Sequence, residues 1–186
     1  RRVVSRVMNP SLPLRAALRE AESPLNLSQL TLDSNDFWLF GMEPRYELEV
    51  SQLDDTWRRL QAQMHPDRFV QSDDASARRA MQWSMRINQA YRRLRDPVSR
   101  AAYLCELRGV AMEGHRANLP PAFLMQQMEW REALAQAGSS HEVEALEAEV
   151  RKAVSSLTSQ LRSQLDDRSD LNQGAAEAAQ TVQRLM

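Results

Sequence analysis

Apolar positions recur along most of this chain at a three-four spacing, the mark of helices that bury one face. Val50, Leu53, Trp57, Leu60 and Met64 form one such stripe, beginning at about Glu49 or Ser51. A second runs through Ala77, Ala80 with Met81, Ser84, Ile87 with Asn88, Tyr91 and Leu94. The first should stop near His65, because Pro66 fixes its own backbone and pushes the preceding residue out of the α region. Ser72 is a good N-cap for the second, with Asp73 and Asp74 in its first turn, and Asp96-Pro97 ends it. Two facing stripes joined by a short loop predict an antiparallel helical hairpin. Asp36-Phe37-Trp38-Leu39-Phe40-Gly41 has an acidic start and a glycine stop. It reads as one or two helical turns that cap the open side of the hairpin.

Further along, Arg100 to Leu107 continues helical and Gly109-Val110 ends it. The stretch through Gly114, His115 and Asn118 is polar and reads as a linker, and Pro120-Pro121 suits a helix start. Leu124, Met128 and Leu134, with Phe123, Met125 and Trp130 on another face, spread apolar groups more widely than one buried stripe requires. After Gly138-Ser139-Ser140, a heptad-like series runs through Val143, Leu146, Val150, Val154, Leu157, Leu161 and Leu165, as in an antiparallel bundle seam. Ala175, Ala178, Ala179, Val182 and Leu185 begin another helix. The expected organisation is all-α. A flexible N-terminal extension covers 1–34, a first unit 35–107, a linker 108–119 and a second helical unit 120–186. The extension carries Arg1, Arg2, Arg6, Arg15 and Arg19 with few acids, a pattern also open to reading as a transit peptide.

Composition sharpens this picture. Glycine is scarce, at 5 residues, and aromatics make up 6% of the chain, which favours helices over sheets. The net charge of −1 gives no whole-molecule field towards nucleic acid or membrane. No apolar run approaches the length of a membrane span. The lone Cys105 excludes an internal disulfide framework and suits a reducing compartment, with the cytoplasm as the expected location.

Chemistry concentrates at His65-Pro66-Asp67-Arg68-Phe69, a stiff corner that offers an imidazole, a carboxylate and a guanidinium between the two helices. Arg58 and Arg59 lie off the first stripe and face solvent or a partner. The second helix has a polar face dense in arginine, with Arg78, Arg79, Arg86, Arg92, Arg93 and Arg95. That face is either simply solvated or docks to an acidic protein surface or to phosphate. Aromatics do not interleave with it, which argues against nucleic acid. His65, His115 and His141 are scattered and Cys105 is alone, so no metal-ligand spacing exists and no cofactor is expected. His65 and Asp67 have neither a nucleophile motif nor a glycine-rich phosphate loop beside them. They read as contact residues rather than as an enzyme's acid and base.

Phe37-Trp38-Leu39-Phe40-Gly41, the His65 to Phe69 corner, and Ile87-Asn88-Gln89-Ala90-Tyr91 with Leu94-Arg95-Asp96-Pro97, Arg100-Ala101 and Tyr103-Leu104 resemble a J domain. More narrowly, the chain resembles the J-domain iron–sulfur co-chaperones of the HscB family. The resemblance implies an N-terminal J domain followed by a C-terminal three-helix bundle. It further implies that His65, Pro66, Asp67, Arg68, Arg58 and Arg59 dock onto a DnaK-class ATPase chaperone specialised as HscA. An apolar and acidic face of Leu124, Met125, Met128, Glu129 and Glu132 would hold the cluster scaffold IscU. A general J-protein with another client is the alternative. Arg68 stands where lysine is common, and Gln136 takes an acidic position of relatives. The last helix continues with further apolar residues in the family, so the second unit reads as truncated at Met186.

Overall fold

The computed structural model describes residues 30–65, 73–112, 119–167 and 171–186. Among them it has seven α-helices and no strand: α1 (Asp36–Leu39), α2 (Val50–Gln63), α3 (Asp74–Arg95), α4 (Pro97–Leu107), α5 (Pro121–Gln136), α6 (Ser140–Asp166) and α7 (Leu171–Leu185).

The ends of these helices follow from their side chains. The Asn35 carboxamide oxygen accepts from the Phe37 N–H at 2.8 Å to open α1. Gly41, at φ 66°, turns the chain out of α1 in the left-handed region that glycine enters without strain. The cap of α3 is Asp73 rather than Ser72, which lies outside the described residues. Its carboxylate accepts from the Ser76 N–H at 2.8 Å and from the Ser76 hydroxyl at 2.9 Å. Asp96 closes α3 and also opens α4 by accepting from the Ser99 N–H, with Pro97 at the first helical position. A reciprocal capping box between Ser139 and Glu142 starts α6.

One apolar core runs through the molecule. Phe37, Leu39 and Phe40 from the α1 region pack with Leu53 and Leu60 of α2, Ile87 and Leu94 of α3, and Leu104 and Cys105 of α4. Leu161 and Leu165 of α6 and Ala178, Ala179 and Val182 of α7 continue the same cluster. The expected α2–α3 hairpin is present, and α1 packs on α3. It does so through Phe37 and Leu39, while Trp38 points outward at 60% exposure.

Two apolar stripes differ from expectation. On α3 the buried line is Ala80, Ile87, Ala90 and Leu94, and Met81 is 61% exposed. Small residues at 80 and 90 let neighbouring elements approach closely, which narrows the covered arc and leaves Met81 beyond its edge. On α6 only Leu161 and Leu165 are buried, and Val143 and Val154 are exposed. The 27 residues of α6 span about 40 Å, whereas the 15 residues of α7 span about 22 Å and cover only one part of it. The rest of α6 meets α5, which contributes no buried residue.

Candidate functional site

The first candidate surface lies at the end of α2. The helix stops at Gln63, Met64 caps it through an N–H donated to the Leu60 carbonyl, and His65 is exposed beyond it. Pro66, Asp67 and Arg68 lie outside the described residues. The corner is therefore bounded by a helix ending at Gln63 and another beginning at Asp74, not by one continuous rod. Arg58 and Arg59 project from the outer side of α2. Arg58 Nη1 donates to Asp55 Oδ1 at 2.7 Å in a strongly exposed pair, and Arg59 Nη2 donates to Thr56 Oγ1 at 3.0 Å. An exposed pair one turn apart is worth a few tenths of a kcal/mol at most, so Arg58 exchanges partners at little cost.

The hairpin that carries this end is braced by Trp57, Asn88 and Tyr91 of the two stripes, with Asp54 and Arg95 from beside them. Trp57 Nε1 donates to Asn88 Oδ1 at 3.0 Å, and its ring stacks on Tyr91 with centroids 4.7 Å apart. The Tyr91 hydroxyl donates to Asp54 Oδ1 at 3.0 Å, and Arg95 reaches the same oxygen at 3.2 Å. Asn88 and Tyr91 thus hold α3 against α2 and fix the direction in which α2 points His65.

The arginine-rich face of α3 is divided: Arg78, Arg79, Arg92 and Arg95 are exposed, and Arg86 and Arg93 are committed internally. Asp36, fully buried, receives Arg86 on one carboxylate oxygen and Arg93 on the other. Arg86 also donates to the carbonyls of Leu32 and Ser34 at 2.8 Å, and the Arg93 guanidinium lies 4.7 Å from the centre of the Tyr103 ring. Of the six arginines expected to face solvent or a partner, Arg86 and Arg93 instead hold α1 and its lead-in to α3. Their partner sits 50 and 57 residues away in sequence, beyond the reach of any local pattern.

The second candidate surface is the outer side of α5. Leu124, Met125 and Met128 are 45%, 62% and 60% exposed, and Glu129 and Glu132 are exposed beside them at helical spacing. Gln136 extends the same side. The opposite side turns Phe123 and Trp130 towards α6, where Trp130 Nε1 donates to Glu149 Oε1 at 2.9 Å. Leu124 and Met128 are therefore surface residues and not core. Methionine side chains on an open face adapt to the shape of a partner.

Among the described residues no three His, Cys, Asp or Glu side chains converge on a point. Cys105 is buried, and desolvation pushes its thiol up to about 11. Its Sγ–H points at the Ala175 carbonyl, 3.4 Å away. No described helix is long and apolar enough to cross a membrane.

A braced helical hairpin with an exposed histidine just past its first helix, joined through one core to further helices with an open methionine face, has the architecture of a J domain with a C-terminal helical domain. The comparisons with known proteins agree. Residues 119–186 match the family model described as the HSCB C-terminal oligomerisation domain. The co-chaperone protein HscB homolog of Paraburkholderia phytofirmans is 44% identical over 156 residues, covering 82% of this chain and 88% of that protein. The corresponding protein of Burkholderia mallei is 44% identical over 157 residues, covering 82% and 89%. Among solved structures, the chaperone HscB from Vibrio cholerae aligns with a TM-score of 0.70 at 34% identity, over 82% of this chain and 91% of that one. Human co-chaperone protein HscB shares the fold, with a TM-score of 0.77 at 24% identity over 84% and 77%. The chain belongs to the HscB co-chaperone family.

Proposed function

We propose that this co-chaperone stimulates the ATPase of a DnaK-class chaperone of the HscA type and delivers the scaffold protein IscU to it, in support of iron–sulfur cluster assembly and transfer in the cytoplasm. The observation that carries the reading is the coexistence of two exposed surfaces of different chemistry on one continuous core. One is basic, with Arg58, Arg59 and His65 at the end of α2; the other is apolar and acidic, on α5. The docking role we assign to Pro66, Asp67 and Arg68, which lie outside the described residues, goes with the first surface, and Leu124, Met125, Met128, Glu129 and Glu132 make the second. Bond-making takes place in the nucleotide site of the chaperone, and this chain supplies contacts. Docking favours the hydrolysing conformation only to the extent that it binds that conformation better than the other. Holding the client on the same body raises the client's effective concentration beside the chaperone.

The test is a steady-state ATPase assay of HscA with scaffold peptide, with and without this protein. Stimulation that requires Asp67 is expected: Asp67→Asn should fold normally and abolish it. Full stimulation by that variant counts against the docking role of the corner. Capture of IscU by the unaltered protein, lost in Leu124→Ala with Met128→Ala, supports the client assignment. Stimulation without IscU capture would instead indicate a J-protein that serves another client.

A further inference from the structure

The two surfaces sit on different elements, and the path between them runs along α6. Its middle part carries α5 through the Glu149–Trp130 bond, beside a cavity lined by Phe123 and Trp130 on one side and Val150 and Leu157 on the other. Its last residue, Asp166, reaches the segment that feeds α2. One carboxylate oxygen accepts from the Tyr46 N–H at 2.8 Å and the other from the Glu47 N–H, also at 2.8 Å. Three residues later α2 begins at Val50. Charge-assisted bonds of this kind are short and directional, and two on adjacent amides fix an orientation as well as a distance.

The surroundings reinforce the grip. Tyr46 is itself buried beneath the Arg100 guanidinium, which lies 5.2 Å from its ring centre. Arg108 Nη2 donates to the Leu165 carbonyl at 2.8 Å, next to Asp166. Arg100 and Arg108 both feel the Asp166 charge, and each has a buried guanidinium nitrogen without a hydrogen-bond partner. Arg162, one turn earlier on α6, pairs with Glu47 at 2.7 Å in an exposed setting that contributes little alone.

We infer that Asp166 is a positioning residue for client-coupled stimulation: by gripping the Tyr46 and Glu47 amides it sets the bearing of α6 against α2. It thereby sets where a client on α5 stands relative to the His65 end of α2. The coupling half of this inference rests on the two-surface reading above. The leverage comes from length. Glu149 lies about 25 Å along α6 from Asp166, so about 10° of play at Asp166 moves the attachment of α5 by about 4 Å. Effective concentration falls quickly once a tethered client cannot reach its site in the right orientation.

Two variants separate geometry from charge. Asp166→Asn keeps the size but turns an acceptor into a donor facing an N–H. Asp166→Glu keeps the charge that faces Arg100 and Arg108 and displaces the carboxylate by one methylene. Spin labels on cysteines at the exposed positions Gln52 of α2 and Glu144 of α6 report the bearing directly. A narrow distance distribution is expected in the unaltered protein and a broad one in Asp166→Asn. Stimulation without client and affinity for IscU should stay within twofold, while client-coupled stimulation falls fivefold or more in Asp166→Asn and by a smaller factor in Asp166→Glu. An unchanged distribution would show that the packing of α4 on α7 holds the bearing without Asp166, and would overturn the inference. A broadened distribution with unchanged coupled stimulation would overturn it as well. If the unaltered protein shows no client-coupled stimulation, the two-surface reading fails and the coupling role with it; the distance distribution still decides the grip. Should Asp166→Asn fail to fold, the Asp166→Glu comparison, read by the same two assays, decides the inference.

Discussion

Asp36 shows how much one buried carboxylate can organise. Its two oxygens engage guanidiniums two turns apart on α3, and its own N–H donates to the Tyr103 hydroxyl at 3.0 Å. Removing the carboxylate strands two arginines in a partly buried setting, which is costlier than never having built the cluster. Asp36→Ala should destabilise the protein by about 3 kcal/mol in urea unfolding. Loss below about 1 kcal/mol would mean that water or other acceptors replace the carboxylate readily. Cys105 gives a second residue-level test. Burial raises its thiol from an ordinary value of 9.0 to about 11, so the folded state holds a proton that the unfolded state has released between those values. The stability this contributes is fully present below pH 9 and is lost as pH climbs towards 11. Desolvation also raises Tyr46, which adds to the decline in the same direction. Cys105→Ala should flatten part of the slope in denaturation series from pH 8 to pH 11. The burial of Cys105 was legible from its apolar neighbourhood; the Asp36 cluster was not, because its members come from separate helices and nothing local marks them as partners.

At the scale of elements, the periodicities located the helices and their stops well. The end of α2 shortly before His65, the Asp96-Pro97 break and the Gly109 exit, where φ is 80°, all fall where backbone restrictions acting within a few residues lead one to expect them. How wide an arc of each helix is covered depends on what packs against it, and that is where periodicity fell short. Met81 sits on a plausible stripe of α3 yet remains outside, as does Met85 at 67% exposure. Substituting either with Gln should change stability by less than about 0.5 kcal/mol, whereas Ile87→Ala in the core should cost about 2–5 kcal/mol. Thermal or urea unfolding of the three variants side by side checks the assignment. A large loss at Met81 would place it back in the core. The seam on α6 fell short for the same reason: its heptads are regular along the helix, but the neighbour that buries them is short. On the open side of α5, the residue types were readable from sequence, and whether Leu124 and Met128 were core or surface was decided only by the fold.

Across the whole molecule, the hairpin end and the α5 face are held by quite different amounts of packing. The α2–α3 hairpin is pinned by the Trp57–Asn88 bond, the Tyr91 stack and a run of fully buried side chains. On the proposed docking, a chaperone would meet helices α2 and α3 already fixed against each other, and a partner that binds a preorganised surface loses little of the interaction to ordering it. Helix α5, by contrast, rests on α6 through one side-chain hydrogen bond and a few half-covered apolar groups.

That thin attachment makes the backbone of α5 a reporter. With no side chain sunk into the core, its amides open without unfolding the rest, and they should take up deuterium within seconds to minutes while those around Ile87 and Leu94 wait for global opening. If IscU binds the Leu124–Met128 side as proposed, exchange along α5 should slow by tenfold or more and elsewhere stay as it was. Cargo loading would then be recorded in isotope mass, on a helix the protein leaves loose until something comes to occupy it.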